Sequence, residues 1–126
     1  MGRGMCSGSL VALGFALLVC SAMVSAETYV VGDSKGWGLS VSYDSWSNGK
    51  PFAAGDTIVF NFLAGVHNAV AVGASEYQSC KVRSAADSAA MASGTAKFDL
   101  KKGVNYFICG VPGHCAAGMK LRVVAN

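Results

Sequence analysis

Charged side chains are scarce in this chain of 126 residues: 13% are Asp, Glu, Lys or Arg, against 52% hydrophobic residues. Neither a lysine-rich arm nor a basic stripe with interspersed aromatic residues is found, so nucleic acid is not expected as a partner. No Asn is followed two positions later by Ser or Thr, which excludes N-glycosylation. Histidine is rare as well, with two in the whole chain. The length suffices for one compact domain, and a two-domain enzyme is not expected.

The N-terminus has the pattern of a secretory signal. An apolar run from Leu10 to Cys20 follows Arg3, and Val24-Ser25-Ala26 offers the small residues that signal peptidase requires. We therefore expect residues 1–26 to be a signal peptide, cleaved after Ala26, and residues 27–126 to form one domain. The alternative is an uncleaved membrane anchor, for which the run is short.

The expected mature chain is mildly basic. Without Arg3 it holds nine Lys and Arg residues and all seven Asp and Glu residues, hence a net charge of +2. A charge of this size serves ordinary solubility and at most a weak attraction to acidic surfaces.

The cysteine count leaves one thiol without an intramolecular partner. Cys6 and Cys20 belong to the expected signal peptide, so only Cys80, Cys109 and Cys115 remain in an oxidising compartment. Three cysteines cannot all pair, and one must be a free thiol, an intermolecular link or a metal ligand. The spacing by itself permits any of the three possible pairings.

Short runs rich in β-branched and aromatic residues, separated by Gly, Asn and Asp, predict several strands. In the clearest run Ile58, Phe60 and Phe62 share one face, and Gly55-Asp56 provides the turn before it. The predicted strands are Thr28–Val31, Thr57–Phe62, His67–Val72, Thr95–Leu100, Asn105–Cys109 and Lys120–Val124. Six or seven strands in 100 residues indicate an all-β sandwich.

A few segments of the predicted domain do not have a strand pattern. Tyr43–Ser47 and Ser84–Ser93 could each hold a helical turn, and Lys102-Gly103 is a predicted turn between two strands. Trp37 and Trp46 are expected to pack in the core.

Three potential metal donors follow one another at intervals of five residues: the thiolate of Cys109, the imidazole of His114 and the thioether of Met119. Several glycines and Pro112 lie between them, and such residues suit a tightly folded loop between two strands. The loop can therefore bring the three donors to one point. The other histidine, His67, is expected to begin a neighbouring strand and to supply the fourth donor.

Two imidazoles, one thiolate and one thioether form the ligand set of a blue copper centre. Soft sulfur stabilises Cu(I) and imidazole accommodates Cu(II), so the set predicts a site for one-electron transfer. Structural zinc is the main alternative, but zinc sites do not usually use thioether sulfur. A Cys–His nucleophilic dyad is a further alternative, and it would need an orienting group, for which only Asn68 is available nearby.

Further motifs are spread over most of residues 27–126. They are Tyr29-Val30-Val31-Gly32-Asp33, Gly36-Trp37, Phe52 through Phe62, His67-Asn68-Ala69-Val70, Tyr106-Phe107-Ile108-Cys109, Pro112-Gly113-His114-Cys115 and Gly118-Met119-Lys120. With these motifs the chain resembles the phytocyanins of plants, and among them the plantacyanins, or basic blue proteins. The resemblance implies a cupredoxin-like Greek-key β-sandwich of about seven strands. It also implies one type 1 copper, cycling between Cu(I) and Cu(II), held by His67, Cys109, His114 and Met119.

The same resemblance implies details around the site. Cys80–Cys115 is the expected disulfide, in agreement with a need for Cys109 as a thiolate. Asn68 is expected to lie behind the ligands and steady the loop, while His67 and His114 expose an imidazole edge for electrons. Met119 stands where the stellacyanins have Gln.

The expected protein is secreted and monomeric, is not an enzyme, and is located in the apoplast or cell wall. Asn126 follows the last predicted strand without a stalk or hydrophobic tail, so no membrane anchor is expected. The redox partner, a small molecule or a protein, is not identified by the sequence, and acidic cell-wall components are a candidate partner. An alternative function is an extracellular signalling or adhesion factor in which copper is structural or dispensable. A copper carrier is a third.

Overall fold

The computed structural model describes residues 25–81 and 93–126. Two predictions lie outside these residues: the signal peptide, except for residues 25 and 26, and the helical turn at Ser84–Ser93, except for Ser93. The described strands are β1 Thr28–Val30, β2 Thr57–Asn61, β3 Val70–Val72, β4 Thr95–Asp99, β5 Gly103–Ile108 and β6 Lys120–Ala125. Two short helices accompany them, α1 Tyr43–Ser47 and α2 Ala74–Ser79.

The strands form two three-stranded sheets. In the first, of order β1-β2-β4, β1 runs parallel to β2 from the pair Thr28 and Thr57, and β4 is antiparallel to β2. The second sheet, of order β3-β5-β6, is antiparallel throughout. The prediction of an all-β sandwich is confirmed, with six strands in the part of the chain that the structure describes.

The core lies between the sheets because the strands alternate as a half-buried sheet requires. Along β6, Leu121 and Val123 are buried whereas Arg122 and Val124 are exposed. Aromatic rings fill the centre: the Phe60 ring lies 4.8 Å from that of Trp37 and 5.1 Å from that of Phe107, measured between centroids. Trp37 and Trp46 are both buried, as predicted.

Several predicted boundaries were wrong, and one of them matters for the site. His67 does not begin a strand, because β3 starts three residues later at Val70. The backbone N–H of His67 donates instead to the carbonyl of Leu63 at 3.3 Å, which closes a turn. This N–H is therefore not used in a hydrogen bond between strands. Strand β5 begins at Gly103, so the predicted Lys102-Gly103 turn lies slightly earlier in the chain.

Of the helical segments, α1 was predicted and α2 was not. The Glu76 side chain accepts a hydrogen bond from the backbone N–H of Gly73 at 2.8 Å, which satisfies a donor at the start of α2. The segment has too few hydrophobic residues for a helical period to be visible.

Candidate metal centre

The Cys109–Met119 loop leaves the second sheet between its two longest strands. Cys109 follows β5 directly and Met119 directly precedes β6. The backbone N–H of Cys109 donates to the carbonyl of Met119 at 3.0 Å, so the β5–β6 pairing extends one residue beyond the strands themselves. The two sulfur-bearing residues are thereby neighbours at the base of the loop.

The loop is held together largely by its own backbone. His114 N–H donates to Val111 O and Met119 N–H donates to His114 O, each at 3.0 Å. Gly113 and Gly118 have φ values of 85° and 107°, which side chains other than glycine rarely adopt. His114 is therefore tied directly to Met119 through the main chain.

Three potential ligand atoms converge at the mouth of the loop. His67 Nδ1 lies 3.1 Å from His114 Nδ1, and Cys109 Sγ lies 3.5 Å from the same His114 nitrogen. The ligand atoms of the three side chains all lie within 4.8 Å of one another. Sequence reasoning singled out the same three residues although 42 positions separate His67 from Cys109.

Burial differs among the four candidate ligands. Cys109 and Met119 are buried in one core cluster, His67 is 7% exposed and His114 is half-buried. Burial lowers the pKa of His67 below its ordinary value, and repulsion from His114 lowers it further. The neutral imidazole, the form that can bind a metal, is therefore favoured at His67.

Residues 37–119 match the plastocyanin-like domain, a family of copper-binding domains. Chemocyanin of Lilium longiflorum is 43% identical over 115 residues, which cover 91% of this chain and 87% of the lily protein. The chain belongs to the phytocyanins.

Solved structures agree with this membership. Cucumber basic protein, a blue copper protein, superposes with a TM-score of 0.67 at 39% identity, covering 79% of this chain and 99% of the cucumber chain. Spinach plantacyanin gives a TM-score of 0.62 at 37% identity over the same shares of the two chains. The cupredoxin-like fold and the resemblance to basic blue proteins are confirmed.

The donor set of this phytocyanin fits the family's cofactor, one type 1 copper. The cluster offers a thiolate and two imidazoles, and no carboxylate is part of it among the described residues. Soft sulfur together with imidazole is the combination that suits copper in both oxidation states. Met119 lies at the base of the loop, bonded through its main chain to Cys109 and His114.

The disulfide Cys80–Cys115 is present, and it leaves Cys109 as the free cysteine of the described chain. It joins the end of α2 to the residue after His114. Closing a loop with a sequence separation of 35 stabilises the fold by about 4 kcal/mol on the chain-entropy model. The expected pairing is confirmed.

Asn68 links the two segments of the site. Its side-chain Oδ1 accepts a hydrogen bond from Gly110 N–H at 2.6 Å, one residue after Cys109, and its carbonyl accepts one from the Trp37 indole at 2.8 Å. The contact with Trp37 was missed in the sequence, where Trp37 reads only as core. The proximity of Gly38 to the site was missed as well: a Cβ built on Gly38 would lie 4.0 Å from His67 Nε2, at van der Waals contact.

Proposed function

We propose that this phytocyanin binds its copper through His67, Cys109, His114 and Met119 and carries single electrons. The observation that supports the proposal is the convergence of three ligand atoms within 4.8 Å at the edge of a buried core. Bound copper supplies a one-electron couple between Cu(I) and Cu(II). The protein contributes a thiolate that the disulfide leaves free and a loop whose backbone is fixed.

The loop keeps the donors in place while the electron is gained or lost. Main-chain bonds tie His114 to Met119, and Cys109 to Met119, so the backbones of these three residues restrain one another. A ligand set that moves little between oxidation states costs little reorganisation, which favours fast transfer. His114 is the more exposed ring, whereas His67 is 7% exposed, so electrons enter and leave mainly through the His114 edge.

The two segments that supply the candidate ligands are uncharged and partly apolar, although Lys120 directly follows Met119. Residues 61–70 and 109–119 contain no Asp, Glu, Lys or Arg. Leu39, Leu63 and Val66 are exposed, by 52%, 69% and 45% of their surfaces. Small apolar contacts of this kind suit short encounters with a redox partner.

The proposed location is extracellular, in the apoplast or cell wall, after cleavage behind Ala26. The apolar run and small residues of the N-terminus support it. Among residues 25–81 and 93–126, no helix combines the length and the hydrophobicity that a membrane crossing requires. The first residue of the protein purified from plant tissue should be Glu27, and an intact N-terminus would contradict the proposed processing.

Titration of metal-free protein with Cu(II) tests the proposed ligands and the redox role together. An intense visible thiolate-to-copper band should grow up to one equivalent, bleach on adding a reductant and return on oxidation. Cys109→Ser should bind without this colour, while Lys35→Gln, far from the cluster in sequence and exposed, should match the parent protein. A colourless copper complex of the parent protein would refute the proposal.

A further inference from the structure

A groove on the side of the sandwich is lined by lysine and aromatic side chains, away from the copper loop. It lies between β4 of the first sheet and β5 of the second and has a volume of about 580 Å³. Three lysines line it, Lys97, Lys101 and Lys102, against one carboxylate, Asp99. All four side chains are exposed, so the groove presents a net positive charge to solvent.

The rest of the lining is apolar and aromatic. Phe98 and Tyr106 are half-buried there, with the Phe98 ring packed 5.1 Å from that of Phe107 and the Tyr106 ring 5.0 Å from that of Tyr77. Rigid rings beside lysine ammonium groups suit a ligand that has both apolar faces and carboxylates. Sugar rings that carry a carboxylate have this combination.

One of the lysines, Lys102, is also distant from Cys109. Lys102 is next to the start of β5 and Cys109 follows its end, so about 20 Å of extended strand separates the two. A ligand held near the β4–β5 turn would leave the His114 edge accessible.

We propose that this groove binds an acidic polysaccharide, a chain of uronic acid units, through Lys97, Lys101 and Lys102. The proposal goes beyond the proposed electron transfer and is independent of the copper. The modest charge excess, with Asp99 in the groove, favours a polyuronate over a nucleic acid, whose binding sites neutralise many phosphates. The interaction should weaken as salt is added, because exposed charges are screened.

Binding of a galacturonic acid oligomer to the copper-loaded protein tests the proposal. The double variant Lys97→Gln/Lys102→Gln should bind about tenfold more weakly, the loss expected when two charge-assisted contacts are removed. Lys35→Gln/Lys50→Gln removes the same net charge elsewhere and should bind as the parent does.

Three results would overturn the polyuronate proposal. They are absence of binding, equal weakening in both double variants, which would indicate net charge alone, and equally tight binding of single-stranded DNA. Neutral galactose oligomers should not bind. The visible copper spectrum should stay unchanged in every variant, since none of these lysines contacts the metal cluster.

Trp37 packs in the core against the segment that contains His67 and Asn68. Its ring packs between Tyr43, in a tilted arrangement, and Phe60, edge to face, with centroids 4.6 and 4.8 Å away, and its indole N–H donates to the Asn68 carbonyl. Tyr43 in turn fixes the adjoining backbone: its hydroxyl accepts a bond from Gly38 N–H at 2.6 Å and lies 3.0 Å from Gly36 O. A continuous set of contacts therefore runs from α1 to Asn68.

From these contacts we infer that Trp37 is a positioning residue for the copper site. It fixes the main chain of Asn68, whose side chain holds Gly110 next to Cys109 and whose neighbour in sequence is His67. Removing the indole N–H should let Asn68 shift and should loosen both segments together. The inference rests on the proposed ligands only in its spectroscopic part.

Trp37→Phe tests this role, because it keeps an aromatic ring at this position and removes the N–H donor. In metal-free protein the Gly110 amide should exchange with solvent about tenfold faster, since its bond to Asn68 weakens. In copper-loaded protein the reduction potential and the paramagnetic-resonance hyperfine splitting should change. Trp46→Phe is the matched control, because the buried Trp46 indole N–H has no hydrogen-bond partner among the described residues.

An unchanged Gly110 amide in Trp37→Phe, or an equal change in Trp46→Phe, would contradict the inference. If Trp37→Phe does not fold, Tyr43→Phe provides a second route. It removes the hydroxyl that fixes Gly36 and Gly38 and should change the Gly110 amide in the same direction by a smaller factor. No change in that variant would then overturn the inference.

Discussion

The candidate copper centre joins two unlike segments of the chain. The Cys109–Met119 loop supplies three candidate ligands from eleven consecutive residues and is held by its own main-chain hydrogen bonds. The segment around His67 supplies one, and beyond the turn to Leu63 it is held by contacts with other parts of the chain, through Asn68 to Gly110 and Trp37. Changes in the loop should therefore act on the ligands directly, and changes near His67 through its supports.

The largest expected effect on stability is loss of the disulfide that anchors the loop. Cys80→Ser/Cys115→Ser should lower the free energy of unfolding by about 4 kcal/mol, the loop-closure term for this separation. Urea denaturation of the metal-free protein measures it. Copper binding should survive, because the bonds within the loop do not involve the disulfide. Loss of the copper colour in folded protein would show that the loop depends on its anchor.

On the other segment, Asn68→Ala should lower the free energy of unfolding by about 1–3 kcal/mol, since the half-buried Gly110 N–H loses its acceptor. The copper spectrum should shift as well. Asn105→Ala is a useful control: its amide also bonds main-chain groups, at Lys101 and Gly103, but in an exposed turn. Equal effects of the two variants on stability and spectrum would remove the assigned difference between the segments.

Met119→Gln alters the donor at the base of the loop. Copper should be retained and the reduction potential should fall, because an amide oxygen would stabilise Cu(II) more than a thioether would. Protein-film voltammetry measures the change. A potential equal to that of the parent protein would argue against Met119 as a ligand and would restrict the loop's contribution to Cys109 and His114.

The smallest expected effect is a pH dependence assigned to His67. Its pKa is lowered in the folded metal-free protein, so the unfolded chain binds the proton more readily. Stability should therefore be fully present above the ordinary histidine pKa and decline as the pH falls below it. Denaturation midpoints of parent protein and His67→Gln, compared between pH 7 and pH 5, measure this. A decline of equal size in both proteins would remove the assignment to His67.

The two segments also differ in how far the sequence predicted them. The loop could be predicted from the sequence because its donors and glycines are close together, and their spacing limits the conformations that the loop can adopt. His67 was identified by chemistry and resemblance, but its backbone was assigned to a strand. Only the turn to Leu63, a hydrogen bond that any residue type could make, places it outside β3.

Contacts between distant residues were the least predictable part. The hydrogen bond from Trp37 to the Asn68 carbonyl depends on tertiary packing. Every residue type has a main-chain carbonyl, so the sequence does not indicate which carbonyl accepts this bond. Helix α2 was missed for a related reason, as its position depends on the disulfide and on packing of Tyr77 against Tyr106. The strands were readable because alternation of burial is a local pattern.

A crystal structure of the copper-loaded protein with an anomalous map at the copper edge is the decisive test of the proposed ligand set. We expect one strong peak within bonding distance of His67 Nδ1, His114 Nδ1 and Cys109 Sγ, with Met119 Sδ as a longer fourth contact. A peak bound to other residues, or a Cys109 sulfur without metal, would contradict it.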